Sequence, residues 1–258
     1  MKMKLLRNCS HGSEIATYLA MDESGGKRII KSSTTTGGIK NLYKEVEGWR
    51  WYQKLRYPGM QEPLCLIAQE YKSYLNVKIN FIDGDKPAYQ TGFDGNEESI
   101  KRAVDHYCQI WPRYSGPLPM HGDLSLDNII INSEGVHVID WEHFTTDVAP
   151  WGFDILYLLF ESLYFSMYLG KHQHHKPTSK EVQIICEHIK AINACHQLQS
   201  DMMKEPLKFI KGFILANNHL WGEQLALYQS KLPVIAFSSE QTTMIDEMIG
   251  SRMNLALN

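Results

Sequence analysis

Residues 121–128 read HGDLSLDN, and residues 139–144 read IDWEHF. Between them, IIINSEGVHV has two short apolar runs around Ser133-Glu134-Gly135, which predicts a β-hairpin with its turn at SEG. A hairpin returns its two ends to one place. Asp123 and Asn128 at its entry are therefore expected to meet Asp140 at its exit.

Two acids and an amide so arranged match one chemistry. Moving a phosphoryl group from ATP to a hydroxyl needs Mg²⁺ to neutralise developing charge and a group that orients the attacking oxygen. Magnesium takes hard oxygen ligands, commonly one or two carboxylates with amide oxygens and water. A loop that offers Asp123 to the hydroxyl and Asn128 to the metal meets half of that need, and Asp140 supplies the missing metal carboxylate. The competing structural reading is a polar loop with Asp caps beside a buried hairpin.

The pattern His121-x-Asp123-x4-Asn128, followed by Ile139-Asp140-Trp141-Glu142, resembles the aminoglycoside phosphotransferase and choline kinase family. That resemblance implies an α+β, bilobal protein-kinase-like fold, with a small β-rich N-lobe bearing one main helix and a larger, mostly helical C-lobe. It implies Asp123 as catalytic base, Asn128 and Asp140 as magnesium ligands, and His121 as a structural brace of the loop. It also gives Asp154, in WGFDILYLLFE, a counterpart that holds the backbone of the catalytic loop from a buried helix. Glu161 resembles the choline-kinase-type spacing, with a surface helix charge as the alternative. Protein kinases carry Arg after the His and Phe-Gly after the second Asp; neither is present here, and no Ala-Pro-Glu segment follows. The remaining alternatives are a protein kinase and a catalytically inactive nucleotide-binding protein, the latter disfavoured because Lys31, Asp123, Asn128 and Asp140 are all present.

Working outward, residues 1–35 read as three strands, KLLRN, EIATYLAMD and KRIIKSS, separated by turn chemistry. The loop STTTGG then precedes a helix over IKNLYKEVEGWRWYQKLRY, and PLCLIAQEY and YLNVKINFI return to strand character. A kinase needs a cation on the ATP phosphates, positioned by a carboxylate on the following helix. Lys31 ends an apolar strand-like run at the right place. Glu45 and Glu47 both lie on the helix, Glu45 being the better match. Ser10 and Gly12, between the first two strands, are expected in a phosphate loop, with a plain hairpin turn as the alternative. Adenine is expected against Asn80–Asp83, including Phe81 and Ile82, through backbone hydrogen bonds.

The Gly-, Asp- and Pro-rich segment IDGDKPAYQTGFDGNEE marks the boundary between residues 1–83, a nucleotide-binding lobe, and 84–258, a catalytic and substrate-binding lobe. After it come a helix over EESIKRAVDHYCQIWPRY that Pro112 bends or ends, the loop and hairpin, and helical stretches at 151–170, about 178–199, 203–229 and 239–253. Glu142, Asp127 and Glu161 form a surplus of acids around the site, which favours a cationic acceptor. Trp151, Tyr157 and Trp221 are candidates for cation–π contacts to it.

Composition narrows the rest. The chain has 258 residues, a formal net charge of −3, 43% hydrophobic and 21% charged residues, so nothing favours nucleic-acid binding. Five scattered cysteines without a CxxC pair read as reduced thiols rather than disulfides or a zinc site. The basic N-terminus has no apolar core of a signal peptide. Trp151–Gly170 is apolar enough to resemble a membrane span but carries Asp154 and Glu161, so a buried helix of a cytoplasmic protein is expected. The histidines of KHQHHKP read as a solvated loop. The expected partners are ATP and a small hydroxylated substrate (an amino alcohol, amino sugar or sugar), with Mg²⁺ as cofactor and no nucleic acid or membrane span. GTP as an alternative to ATP, and the oligomeric state, stay open.

Overall fold

The structure, a computed structural model, describes residues 2–8, 14–113, 116–169, 175–221 and 232–255. The chain divides into two compact units, Met1–Asp83 with Ile139–Thr145, and Gly84–Val138 with Thr146–Asn258.

The first unit is an antiparallel five-stranded sheet with one helix. Strands β1 (Lys2–Arg7), β2 (Ala16–Met21), β3 (Lys27–Ser33), β4 (Cys65–Tyr71) and β5 (Tyr74–Asn80) run in the order β1-β2-β3-β5-β4. Helix α1 (Thr36–Arg56) packs on β3, β4 and β5. It buries Leu42, Val46, Trp49 and Tyr52, which recur at the three- and four-residue spacing of one helical face. Leu75, Val77 and Ile79 of β5 are also buried, alternating along that strand as the pleat requires. The helix starts earlier than its glycines would favour. Thr35 is the reason: its hydroxyl accepts the Gly38 N–H at 3.1 Å and caps the first turn.

The segment Ile139–Thr145 belongs to this unit because Trp141 is wholly buried in it. Its ring lies 5.1 Å from Tyr52 and 5.8 Å from Trp51, and Phe144 closes the cluster. Gly48 makes the approach possible. A Cβ there would lie 2.6 Å from the Trp141 Cβ and 3.0 Å from that of Phe144. Gly48→Ala is expected to destabilise the protein: overpacking costs about 1–3 kcal/mol, against a gain of about 1 kcal/mol in helix propensity. Denaturant unfolding measures this directly, and an unchanged or raised midpoint would show that the helix and the tryptophan are not in tight contact.

The second unit is mainly helical. Helix α2 (Glu97–Ile110) stops just before Pro112, as expected. Strand β6 (Leu118–Met120) leads into the His121–Asn128 loop, which ends in a 3-10 turn over Leu126–Asn128. The predicted hairpin follows as β7 (Ile129–Asn132) and β8 (Gly135–Val138). Strand β9 (Thr145–Ala149) pairs with β6; both are too short, and β6 too proline-bearing, for strand periodicity to announce them. Helix α3 (Phe153–Tyr168) is the core of this unit, with Ile155, Leu156, Leu158, Leu159, Phe160 and Leu163 fully buried among α2 and two later helices, α4 (Ser179–Cys195) and α6 (Pro206–Ala216).

The helix expected over 203–229 is broken. A short α5 (Ser200–Lys204) ends and α6 begins at Pro206, which tolerates the first position of a helix but not its interior. Residues 222–231 lie outside the described residues. The final helix is Ser239–Leu255. No helix among the described residues is long and apolar enough to cross a membrane.

Candidate active site

Each unit brings together half of the expected residues. In the first, Lys31 sits in the middle of the sheet, opposite Thr17 on β2 and Val77 on β5, and is only 5% exposed. Its ammonium donates to Glu45 Oε2 at 2.8 Å. Glu45 is fully buried, and its other oxygen accepts from the Trp49 indole N–H at 2.9 Å. The open choice between two glutamates is thereby decided, since Glu47 is exposed. Lys31 also pairs with Asp140. Burial works to lower the Lys31 pKa, but the carboxylates of Asp140, Glu45 and Glu142 outweigh it and hold the lysine charged. Burial pushes Glu45 upward, against the pull of Lys31.

Asp140 has φ 64, a left-handed backbone that few residues other than glycine adopt. Asp is among the residues that tolerate this region best, and the wholly buried Trp141 follows it. Glu142, a candidate for the acceptor site, receives Arg7 Nη2 at 3.2 Å. Arg7 Nη1 also lies 3.7 Å from Asp140 Oδ2. Burial and the neighbouring Asp140 carboxylate raise the Glu142 pKa. His143 is held neutral, its pKa lowered to about 4 by burial. Arg7 was not anticipated. Its signal is the strand register: it lies opposite Thr17, which lies opposite Lys31, so the two cations share one face of the sheet.

Phe81 and Ile82 follow β5 directly and are partly exposed, with the Lys27 ammonium 4.9 Å from the Phe81 ring centre. Ser10 and Gly12 lie outside the described residues, as do His172 and His174; His175 is exposed.

In the second unit the His121–Asn128 loop is gripped from two sides. Asp154, in the first turn of α3, accepts the backbone N–H of His121 at 2.9 Å and of Gly122 at 3.0 Å. The Trp221 indole donates to the Gly122 carbonyl at 2.8 Å. With both ends of the Gly122 residue held, and its φ at 82 where glycine is favoured, the following Asp123 has a fixed direction. Asp154 is 2% exposed, and burial pushes its pKa to about 6 against these two backbone bonds. His121 is fully buried and its Nδ1 accepts the Asp123 N–H at 3.2 Å.

Asn128 donates its amide to the Asp123 carbonyl at 2.9 Å and to Asp123 Oδ2 at 3.2 Å. The Tyr157 hydroxyl reaches Asp123 Oδ1 at 3.4 Å. Asp154, Tyr157 and Glu161 are spaced three and four apart, so they form one stripe along α3. Glu161 is 7% exposed. Burial raises its pKa well above the ordinary value, and the Asp123 and Asp127 carboxylates push in the same direction. Asp127 itself is exposed, and its carbonyl accepts from Lys86 at 2.7 Å. Trp151 packs against Tyr107 and His196 and is 4% exposed, so it belongs to the core. The role of Trp221 as a loop brace was not anticipated either; an indole N–H carries no sequence signature of its partner.

Each unit, taken by itself, offers oxygen donors of the hard kind that magnesium takes. Asn128 turns its amide nitrogen to the loop, which leaves its carbonyl oxygen on the other side. Asp140 and Glu142 are hard carboxylates that already gather cations. Among the described residues no cluster of three or more His, Cys, Asp or Glu is arranged as a metal cage. Magnesium is commonly held by one or two carboxylates with substrate phosphates and water rather than by such a cage.

No protein-family model matches the chain, and neither does any curated protein. Solved structures do, in 706 chains, so the fold is widely populated. One is amicoumacin kinase hAmiN in complex with AMP-PNP, Ca²⁺ and Ami, with a TM-score of 0.51 and 13% identity over 98% of this chain and 88% of that one. At that identity the likeness shows the fold. This chain has a kinase-like fold, with a sheet-bearing N-terminal region and a helical C-terminal region.

Proposed function

We propose that this protein is an ATP-dependent phosphotransferase that moves the γ-phosphoryl group to a hydroxyl of a small molecule. The observation that carries the reading is the Lys31 ammonium, buried in mid-sheet between Glu45 and Asp140. As a stabilising device this is poor. Desolvating a lysine and two carboxylates costs about as much as their attraction returns, and apolar residues of similar volume would serve as well. As a phosphate-binding device it is apt, because a fixed cation needs no reorganisation when charge shifts during transfer.

The roles then follow. Lys31 binds phosphate oxygens and Glu45 holds it in place. Asp123 accepts a hydrogen bond from the acceptor hydroxyl and takes its proton, while Tyr157 and Asn128 fix the carboxylate's orientation. His121, Asp154 and Trp221 hold the loop. Asn128 and Asp140 are the residues that would hold magnesium, which when bound neutralises the phosphates. The backbone at Phe81 and Ile82 would receive adenine, and Ser10 and Gly12 the phosphates. That the solved neighbour is a kinase described with AMP-PNP, Ca²⁺ and its small-molecule ligand supports this reading.

For the acceptor we favour a cation, an amino alcohol or amino sugar. Glu161 is the reason: a buried carboxyl on the same helical stripe as Tyr157, close enough to Asp123 to feel its charge, is suited to an ammonium. The test is ATP consumption by the purified protein with choline, ethanolamine, aminoglycosides and uncharged sugars at low and moderate salt. Faster, salt-sensitive turnover of the amines is expected. Preference for neutral sugars would overturn the cationic acceptor alone, and no ATP consumption with any hydroxylated compound would count against the phosphotransferase.

A further inference from the structure

Arg7 has no part in the scheme above, yet it touches that scheme's charged centre. It ends β1, the edge strand, most of whose side chains are exposed: Met3 is 51% exposed, Leu5 48% and Leu6 51%. Backbone pairing with β2 holds this strand, and side-chain packing adds little along Met3–Leu6. At Arg7 charge adds a further hold. The guanidinium donates to both oxygens of Glu142, at 3.2 and 3.4 Å, and lies 3.7 Å from Asp140 Oδ2. Its Nε is buried and makes no hydrogen bond.

The consequence lies at Asp140. One carboxylate oxygen is paired with Lys31 and the other faces Arg7. A divalent cation arriving at that carboxylate meets a guanidinium already beside it, and the two repel. Glu45, Asp140 and Glu142 together carry three negative charges against the two positive charges of Lys31 and Arg7, so the cluster still attracts a cation overall. The two demands are reconciled if Arg7 leaves as the metal enters. An arginine released beside a metal-bound nucleotide has a natural acceptor, because its planar fork of donors matches phosphate oxygens.

We propose that Arg7 is an exchangeable phosphate ligand: it neutralises Asp140 and Glu142 in the nucleotide-free protein and passes to a nucleotide phosphate when metal takes those carboxylates. The inference rests on the phosphotransferase reading and deepens it. It makes metal and nucleotide binding strongly cooperative, since either alone leaves Arg7 or the carboxylates without a proper partner. If Arg7 were only a staple for β1, its loss would lower stability and leave that cooperativity as it was.

The experiment uses the full chain and Mn²⁺ as a paramagnetic probe. Mn²⁺ affinity is measured by electron paramagnetic resonance with and without a non-hydrolysable ATP analogue, and analogue affinity by calorimetry with and without Mn²⁺. In Arg7→Met, Mn²⁺ alone is expected to bind about tenfold tighter and the Mn²⁺–analogue pair about tenfold weaker, the scale of one charge-assisted hydrogen bond gained or lost. Arg7→Lys keeps the charge but not the fork. It should leave Mn²⁺ binding near wild type while weakening the analogue, and it serves as the readout if Arg7→Met does not fold. Unchanged cooperativity in both variants, with the analogue still bound by wild type, overturns the role of Arg7 alone. Failure of the wild-type protein to bind the analogue at all overturns the phosphotransferase reading with it.

Discussion

Asp123→Asn is expected to lower turnover by about 10²-fold or more, the range for losing a positioned general base, with nucleotide binding largely kept. The substitution preserves shape but replaces an acceptor-only group with one that is half donor. Asp123 now accepts from Asn128 on one oxygen and from Tyr157 on the other. An amide can accept at only one of those places, so its oxygen stays with Asn128 and its NH2 turns to Tyr157, whose hydroxyl must then accept instead of donate. The charge that would orient the hydroxyl disappears as well. The loop should keep its form, because Asp154 and Trp221 hold it through backbone atoms of His121 and Gly122 that the substitution does not touch. Steady-state rates with saturating ATP, alongside nucleotide affinity by calorimetry, separate the two effects. Near-normal turnover would remove Asp123 from the role of base.

Asp140→Ala should abolish productive binding of magnesium and ATP, since one of few protein oxygen ligands is gone. It would not leave an uncompensated charge. Lys31 keeps Glu45, Arg7 keeps Glu142, and the cluster becomes balanced at two charges of each sign. The fold is therefore expected to survive, apart from about 1–2 kcal/mol for alanine in a left-handed backbone. Asp140→Asn tolerates that backbone better and isolates the loss of charge. Asn128→Ala should weaken metal dependence less severely. Rate as a function of magnesium at fixed ATP is the measurement, and an unchanged magnesium dependence in Asp140→Asn and Asp140→Ala would show that the metal is held elsewhere.

The residues read most directly from the chain were those whose signal is local. HGDLSLDN and the apolar hairpin behind it occupy one continuous stretch, and β7, β8 and their turn formed where the pattern placed them. The three strands of the N-terminal region, α1 and the stop of α2 before Pro112 followed from alternation, helical spacing and proline in the same way. Asp154 and Glu161 were singled out only through the family resemblance, and their alignment with Tyr157 along one face of α3 emerged with the helix itself. The break at Pro206 was legible too, and the apolar run through it concealed the point.

Local patterns determined which elements form and which side chains are available, because helix and strand periods and turn chemistry act over a few residues. Partnership across long separations was decided only by tertiary structure. Lys31 and Asp140 are 109 residues apart and Arg7 and Glu142 135 apart, and nothing in either stretch names the other. What joins them is a buried indole. Trp141 fills the space that Gly48 leaves on α1, and burying that ring makes Ile139–Thr145 part of the first unit. The choice of Glu45 over Glu47 has the same cause, since a helix turns two neighbouring glutamates to different faces and only the packing of α1 on the sheet selects the inward one.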